Sequence, residues 1–420
     1  MRLSVAIQSL LNRRWTVLLT LFSLTISIML VLGINHIRFQ VKENFNNTLS
    51  GTNLVVGPRG GSLNLLLYSV FHMGTATNNI RWKTLEELSR HSQVEWLIPL
   101  ALGDSHKGHR VVATTTDFFT HYAYGKKQSL VFRQGQAFTN PFEVVLGAAV
   151  AQKLNYKLRD KIVLAHGVTE VSLAKHDDAP FVVSGILAPT GTPVDKSLYI
   201  SLAGMEAIHQ DWQSGVHIPG SGQRKDEQSE VAADAHPSTL TAILVGLKNR
   251  VATFTVQRQV NQYAGEPLQA IIPGLALAEL WQMLSAAEVA FNIIAWLVLF
   301  ASLLGMTTSL LTTLNERQRE FAILRSLGAG AGYLFALIVT EVFLLCFFAI
   351  LLAILLLTGS IALLESWFIN TWGMHISLDI FRYQQLQYIA AVLVLTFLLA
   401  LLPSLAACKR SLSDGLSMRL

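Results

Sequence analysis

Long apolar blocks alternate with polar stretches along this chain, and four of the blocks are long enough to cross a membrane. The first block, residues 15–34, contains 20 residues and no charge. At 1.5 Å per residue in a helix it reaches about 30 Å, the thickness of the hydrocarbon core of a bilayer. The other blocks are residues 288–314, 333–364 and 388–407. We therefore predict a membrane α-helical protein with four transmembrane helices.

The first block also resembles a secretory signal peptide, which would be removed from the mature protein. It is longer than the 7–15 apolar residues of a signal-peptide core, and no small-x-small cleavage site precedes His36. We therefore expect it to be retained as a membrane helix.

A different periodicity governs the region between the first two blocks. Apolar runs bounded by turn residues predict strands at 143–146, 161–164, 181–186, 197–200 and 239–245. Helical patterns lie between them, at 82–90, 148–154 and 201–211. Thr84 and Glu87 have the spacing of a capping box. Mixed strands and helices predict a large α+β domain, in which the polar, Gly- and Pro-containing residues 215–237 form a long loop.

The distribution of charge predicts on which side of the membrane each segment lies. Only 14% of the 420 residues are charged, and the formal net charge is +5. If four spans place both termini on one side, the short segments on that side hold nine basic and three acidic residues. Such an excess is typical of cytoplasmic loops, so it indicates topology and gives no support to a nucleic-acid partner. We predict a multi-pass protein of the bacterial inner (plasma) membrane with both termini in the cytoplasm.

The predicted organisation follows from the blocks and their charges. Along the chain it comprises an N-terminal segment with helix one (1–35), a periplasmic α+β domain (36–287), helix two (288–314), a cytoplasmic segment (315–332), helix three (333–364), a periplasmic loop (365–387), helix four (388–407) and a cytoplasmic tail (408–420).

The cytoplasmic segment between helices two and three carries the most informative pattern. Residues 315–330 read NERQREFAILRSLGAG, a charged turn followed by apolar residues at helical spacing. Its arginines offer donors to an acidic surface, and its apolar face can lie in a groove of a partner. An ordinary interfacial connector with positive charges is the alternative, and the residues alone leave both open.

This segment resembles the coupling segment of the MacB/FtsX-like permeases, E-R-x-x-E-x-x-x-L-R-x-x-G-A. The matching residues are Glu316, Arg317, Glu320, Leu324, Arg325, Gly328 and Ala329. Residues 145–164, 181–195 and 404–420 resemble further motifs of the family. Two positions depart from these motifs, since Arg159 and Gly415 stand where the family usually has Gly and Pro.

The resemblance implies a mechanism in which ATP hydrolysis elsewhere moves the periplasmic domain. Glu316, Arg317, Glu320, Leu324, Arg325 and Gly328 would couple the chain to a cytoplasmic ABC ATPase dimer. That dimer would hold ATP and Mg, while this chain would hold no cofactor. A second permease copy or paralogue, membrane lipid and a periplasmic adaptor or substrate-binding protein are the other expected partners. The sequence contains no Walker A motif, G-x-x-x-x-G-K-[ST], so the ATPase is expected to be a separate chain.

Several further residues stand out. Glu341 lies inside the third block, where an ionisable group is costly; we favour a structural role at a helix interface over a proton or substrate relay. Residues 62–73 are apolar but too short to span a membrane. They could belong to the core, rest on the membrane or line a substrate groove.

Among twelve histidines, His106, His109 and His176 are weak candidates for metal ligands, but scattered surface histidine is the favoured interpretation.

Two functions from different classes fit this sequence. The first is a transport subunit that exports, extracts or transfers a substrate on the periplasmic side. The second is a signalling scaffold that controls a periplasmic partner, such as a hydrolase or a metal-binding protein. A substrate-stimulated ATPase would favour the first, and a hydrolase bound to the periplasmic domain would favour the second. Neither G-x-S-x-G nor H-E-x-x-H occurs, so no motif supports an enzyme.

The predicted topology can be tested with introduced cysteines. A cysteine at Ser229 should react with an impermeant thiol reagent in intact spheroplasts, because residues 36–287 are predicted to be periplasmic. A cysteine at Ser326 should react only after the membrane is opened. The opposite labelling pattern would contradict the four-span topology.

Overall fold

A computed structural model describes residues 13–166, 179–209, 212–213, 216–217, 235–316, 323, 326, 328–372, 376–379 and 382–413. The helices are α1 (Arg14–Asn47), α2 (Ser62–Val70), α3 (Trp82–Ser89), α4 (Asp117–His121), α5 (Ala148–Leu154), α6 (Leu202–His209), α7 (Thr253–Asn261), α8 (Pro273–Glu316), α9 (Ala331–Trp372) and α10 (Tyr383–Ser413).

The strands are β1 (Leu54–Pro58), β2 (Ile80–Arg81), β3 (Val94–His106), β4 (His109–Thr114), β5 (Ala123–Tyr124), β6 (Gln128–Ser129), β7 (Phe132–Gly135), β8 (Glu143–Leu146), β9 (Lys161–Ile162), β10 (Ala165–His166), β11 (Phe181–Leu187), β12 (Leu198–Ser201), β13 (Trp212–Gln213), β14 (Val216–His217), β15 (Thr239–Leu240), β16 (Ala242–Leu247) and β17 (Leu268–Ile271).

Two compact units divide these elements. The membrane unit comprises Met1–Gln40, Ser285–Glu365 and Ile376–Leu420, and the inserted domain comprises Val41–Leu284 with Ser366–His375. Four of the described helices, α1, α8, α9 and α10, are long and apolar enough to cross a membrane. The prediction of four membrane helices with a mixed α+β domain between the first and the second is confirmed.

The inserted domain is built on one mixed sheet. Its main path of strands runs β17-β1-β16-β3-β4-β12-β8-β11-β7, and β9 and β10 pair at its sides with β11 and β3. Most neighbours are antiparallel, but β12 is parallel to β4 and β8 is parallel to β11. The 13-residue strand β3 pairs with both β16 and β4, so it joins the two halves of the sheet.

Both faces of this sheet are buried, which explains the continuous apolar runs in its strands. Successive side chains of a strand point to opposite faces. In β8, Val144 belongs to one buried cluster and Val145 to the other, and both are fully buried. Helices α3, α5, α6 and α7 supply side chains to the first cluster, and α2 and α4 supply them to the second. Residues 62–73 are therefore largely core, because α2 buries Leu65 and Leu66.

One local prediction is wrong. Thr84 does not cap a helix, because α3 already begins at Trp82 with Arg81 in the capping position. The helix itself begins at Trp82, as the helical pattern at 82–90 predicts, so Thr84 lies inside its first turn. The hydroxyl of Thr84 instead donates to the carboxylate of Glu266. Apart from 216–217 and 235–237, the predicted loop at 215–237 lies outside the described residues.

A glycine fixes how β8 meets the turn that precedes β12. Asp195 in this turn is buried, and its carboxylate accepts hydrogen bonds from the amides of Thr190 and Gly191 at 2.8–3.0 Å. The Gly147 amide donates to the Ser197 carbonyl at 3.0 Å. A Cβ at Gly147 would lie 2.5 Å from the Asp195 carbonyl oxygen, so only glycine allows this approach.

We expect Gly147→Ala to destabilise the inserted domain by about 1–3 kcal/mol, because the added methyl group overlaps backbone that is held on both sides. Gly103→Ala is the matched control, since a Cβ there meets no atom within 4 Å. Thermal unfolding of the detergent-solubilised chain, followed by circular dichroism, measures both. Equal melting temperatures for the two variants would contradict the role of Gly147.

Candidate functional site

Two long helices bracket the predicted coupling segment. Helix α8 ends at Glu316 and α9 begins at Ala331. Gly328, just before α9, has a φ of 97°, a conformation that favours glycine at the end of a helical segment. Arg317, Glu320, Leu324 and Arg325 lie outside the described residues, as does the side chain of Glu316.

Ile323 is the described apolar side chain of this segment, and it is 61% exposed. The apolar residues at helical spacing in this segment of the sequence are Phe321, Leu324 and Leu327, and Ile323 is not among them. Ile323 lies four residues before Leu327, so helical spacing could have included it.

Glu341 lies in the interior of the membrane unit. It is 3% exposed, and Ile338 and Val342 beside it in α9 are also buried. The carboxylate therefore faces neighbouring helices and points away from lipid. This position suits the helix-interface role, although a relay would need the same burial.

Charged residues also join the membrane helices near the other end of α1. The guanidinium of Arg38 lies 2.6 Å from the carboxylate of Glu288 in α8. Arg382, next to the start of α10, stacks its guanidinium over Phe39 at 4.5 Å from the ring centroid. His36 Nε2 donates to the Ser377 carbonyl at 2.9 Å. No sequence prediction included this group, although Arg38 and Glu288 are opposite charges at the facing ends of consecutive spans.

The metal candidates occupy separate hydrogen-bonded positions. His106 and His109 face each other across the β3–β4 hairpin. Nδ1 of His106 donates to the Val163 carbonyl at 2.7 Å, and its Nε2 lies 2.9 Å from the Tyr156 hydroxyl. Nδ1 of His109 donates to the Lys196 carbonyl at 3.0 Å. Both ring nitrogens of His106 are thus engaged, and burial lowers the pKa of both histidines.

No group of three His, Cys, Asp or Glu side chains that could hold a metal ion occurs among the described residues. His176 lies outside them. The three histidines therefore stay weak candidates, and the geometry of His106 suits a structural role.

A serine–histidine contact in the inserted domain has a structural geometry. Nδ1 of His72 lies 2.7 Å from the Ser197 hydroxyl, which itself donates to the Pro193 carbonyl at 3.3 Å. Ser197 is 1% exposed, so a substrate has no access to its oxygen. Burial, with a smaller contribution from Arg110, lowers the pKa of His72 to about 4. The pair places a neutral imidazole beside the core and offers no nucleophile.

Comparison with known proteins shows the family to which this chain belongs. Residues 17–263 match the family model of the MacB-like periplasmic core domain. Residues 292–412 match that of the FtsX-like permease C-terminal region. The chain belongs to the MacB/FtsX-like permease family. The predicted resemblance is thereby confirmed, and the protein is a multi-pass membrane component of an ABC transporter.

Two solved structures are similar to part of this chain at low sequence identity. The periplasmic region of MacB from Actinobacillus actinomycetemcomitans is 12% identical with a TM-score of 0.33, over 56% of this chain and 94% of that one. The extracellular domain of the noncanonic ABC-type transporter YknZ from Gram-positive bacteria is 11% identical with a TM-score of 0.28, over 52% of this chain and 98% of that one. No curated protein matches the chain.

The partly buried His72 of this permease predicts a pH dependence of stability. His72 has a pKa of about 4 in the folded protein and near 6.5 when unfolded, so the unfolded state binds the additional proton between these values. Stability should therefore fall as the pH decreases from about 6.5 to 4, by at most about 3 kcal/mol from this residue.

His72→Asn should reduce this loss, because the asparagine amide keeps a donor near Nδ1, does not titrate and tolerates the φ of 54°. The measurement is the melting temperature of the full chain at a series of pH values. His121→Asn, at an exposed histidine of the same domain, is the control. Identical pH profiles for wild type and His72→Asn would contradict the assignment.

Proposed function

We propose that the chain is the permease subunit of an ABC transporter whose ATPase is a separate cytoplasmic protein. ATP binding and hydrolysis in that partner, with Mg, would move the segment between α8 and α9. The helices would carry this movement to the inserted domain, which would act on a substrate or a partner protein outside the cytoplasm. The chain itself would perform no hydrolysis.

The observation that carries this proposal is the position of the coupling motif. Glu316–Ala329 matches the family pattern at seven positions, and it falls between the two long helices α8 and α9. Arg317 and Arg325 supply bidentate donors for carboxylates, and Ile323 adds exposed apolar surface. This combination of charge and apolar area suits a docking element in a groove of a partner.

The proposed orientation follows from charge. The segments 1–14, 315–332 and 408–420 hold the basic excess, so they would lie in the cytoplasm, and the inserted domain would be periplasmic. The bacterial inner membrane is the proposed location. A second permease copy or paralogue and a periplasmic adaptor or substrate-binding protein would complete the assembly.

Charge reversal at the motif tests the coupling role. Arg325→Glu should weaken co-purification with the ATPase at least about tenfold, because reversing a charge in a buried interfacial pair costs about 2–5 kcal/mol. ATPase activity should lose its dependence on the permease. Membrane insertion should stay normal, as judged by the amount of chain in the membrane fraction.

Lys126→Glu is the matched control, since it makes the same charge change at an exposed residue of the inserted domain. Wild-type co-purification and activity in Arg325→Glu would remove the docking role. Equal defects in both variants would indicate a general effect of charge.

A further inference from the structure

Helices α1 and α8 are joined by polar contacts at two points that lie far apart along both helices. The hydroxyl groups of Ser23 and Ser302 are 2.9 Å apart. The guanidinium of Arg38 lies 2.6 Å from the carboxylate of Glu288. These contacts are separated by 15 residues in α1 and by 14 in α8, which is about 21–22 Å along a helix. The two antiparallel helices therefore run side by side between the contacts.

The serine contact lies inside the apolar part of both helices. Ser23 belongs to the block 15–34, and Ser302 belongs to the block 288–314. Hydrocarbon contains no water that could replace a hydrogen bond between two hydroxyl groups, and serine side chains join membrane helices in this way. This contact is therefore costly to break.

The ion pair lies at the edge of the apolar blocks. Arg38 follows the first block, and Glu288 is the first residue of the second. Their side chains are 41% and 18% exposed, so water can replace the contact. A partly exposed ion pair contributes little to stability and is weakened by salt. This contact therefore opens at a lower cost than the serine contact.

Both helices continue beyond the ion pair toward the sheet of the inserted domain. Helix α1 extends to Asn47 and is followed by β1, and α8 begins at Pro273, directly after β17. Strands β1 and β17 are neighbours in the sheet. The ion pair thus joins the two connections through which the chain enters and leaves this sheet.

We propose that the two contacts act as a hinge and a latch between α1 and α8. The serine contact is the hinge, which keeps the two helices together. The ion pair is the latch, which sets the separation of the connections to β1 and β17. When the ion pair opens, the helices diverge beyond the serine contact, and the two connections move apart. Arg38 and Glu288 are thus positioning residues, and their role does not depend on the proposed ATPase partner.

Distances between spin labels on the full chain in detergent test the latch. The labels are attached to cysteines at Ile37 and Val289, which are exposed residues next to the ion pair. Arg38→Glu should lengthen this distance by several ångströms and broaden its distribution, because two carboxylates repel each other. Arg38→Glu combined with Glu288→Arg should restore the original distance, because the exchange of charges forms the ion pair again.

A second pair of labels, at the exposed residues Phe22 and Leu304, reports on the hinge. Their distance should stay the same in every variant, because the helices diverge only beyond the serine contact. The native Cys346 and Cys408 are changed to serine in all samples, so that only the introduced cysteines carry labels.

A change of salt concentration tests the latch without a substitution at the ion pair. Raising the salt from about 0.01 M to about 1 M shortens the screening length from about 30 Å to about 3 Å. The distribution of the Ile37–Val289 distance should broaden, and that of the Phe22–Leu304 distance should not. This comparison remains informative if Arg38→Glu does not fold.

Three results would overturn the proposal. The first is an Ile37–Val289 distance that neither Arg38→Glu nor high salt changes. The second is an equal lengthening at both pairs of labels, which would show that the serine contact is no hinge. The third is a charge exchange that does not restore the original distance. These measurements use no ATPase, so their outcome is independent of the coupling experiment.

Discussion

The membrane unit depends on one constraint, which is that hydrocarbon offers no partner for a backbone amide or carbonyl. Helices satisfy these groups internally, so the spanning parts of this chain are α1, α8, α9 and α10. Polar side chains in the membrane unit also need hydrogen-bond partners within the protein. Ser27 donates to the carbonyl four residues earlier in α1, and Thr307 does so in α8. Arg38 and Glu288, two charged side chains of this unit, form an ion pair with each other.

The inserted domain meets a different requirement, which is to bury both faces of one long sheet. Its strands hold apolar residues at consecutive positions, as in β1 and β8, because helices cover each face. This packing also requires that some backbone segments approach each other closely. Gly147 lets β8 meet the turn around Asp195, and the buried carboxylate of Asp195 holds that turn through backbone amides.

The sequence was most informative where one physical signal dominated. Apolar length determined the four spans, and apolar runs with turn residues located most of the predicted strands, including β8 and β11. The family motifs predicted the permease class. The helical pattern at 82–90 located α3, but the capping spacing of Thr84 and Glu87 was misleading, because Thr84 lies inside the helix and its hydroxyl donates to Glu266. Tertiary context therefore overrode a local capping pattern.

The candidate site also contains features that the sequence predicts and features that it does not. The coupling motif could be recognised because its residues are consecutive. The pairing of Arg38 with Glu288 joins residues separated by hundreds of positions. No local pattern encodes such a contact, and a single sequence contains no covariation.

The placement of β1 and β17 has a mechanical consequence for the inserted domain. The chain enters the sheet at β1 and leaves it at β17, and these strands are antiparallel neighbours with Val55 opposite Ile271. Both connections therefore leave the sheet at the same end. Forces that pull the two connections in one direction move the sheet as a solid body and do not strain the hydrogen bonds between these strands. Forces that pull the two connections apart act on the hydrogen bonds between β1 and β17 one at a time, beginning with the bonds nearest to the connections. The domain is thus stiff when both connections are pulled in the same direction, and it is compliant when they are pulled apart.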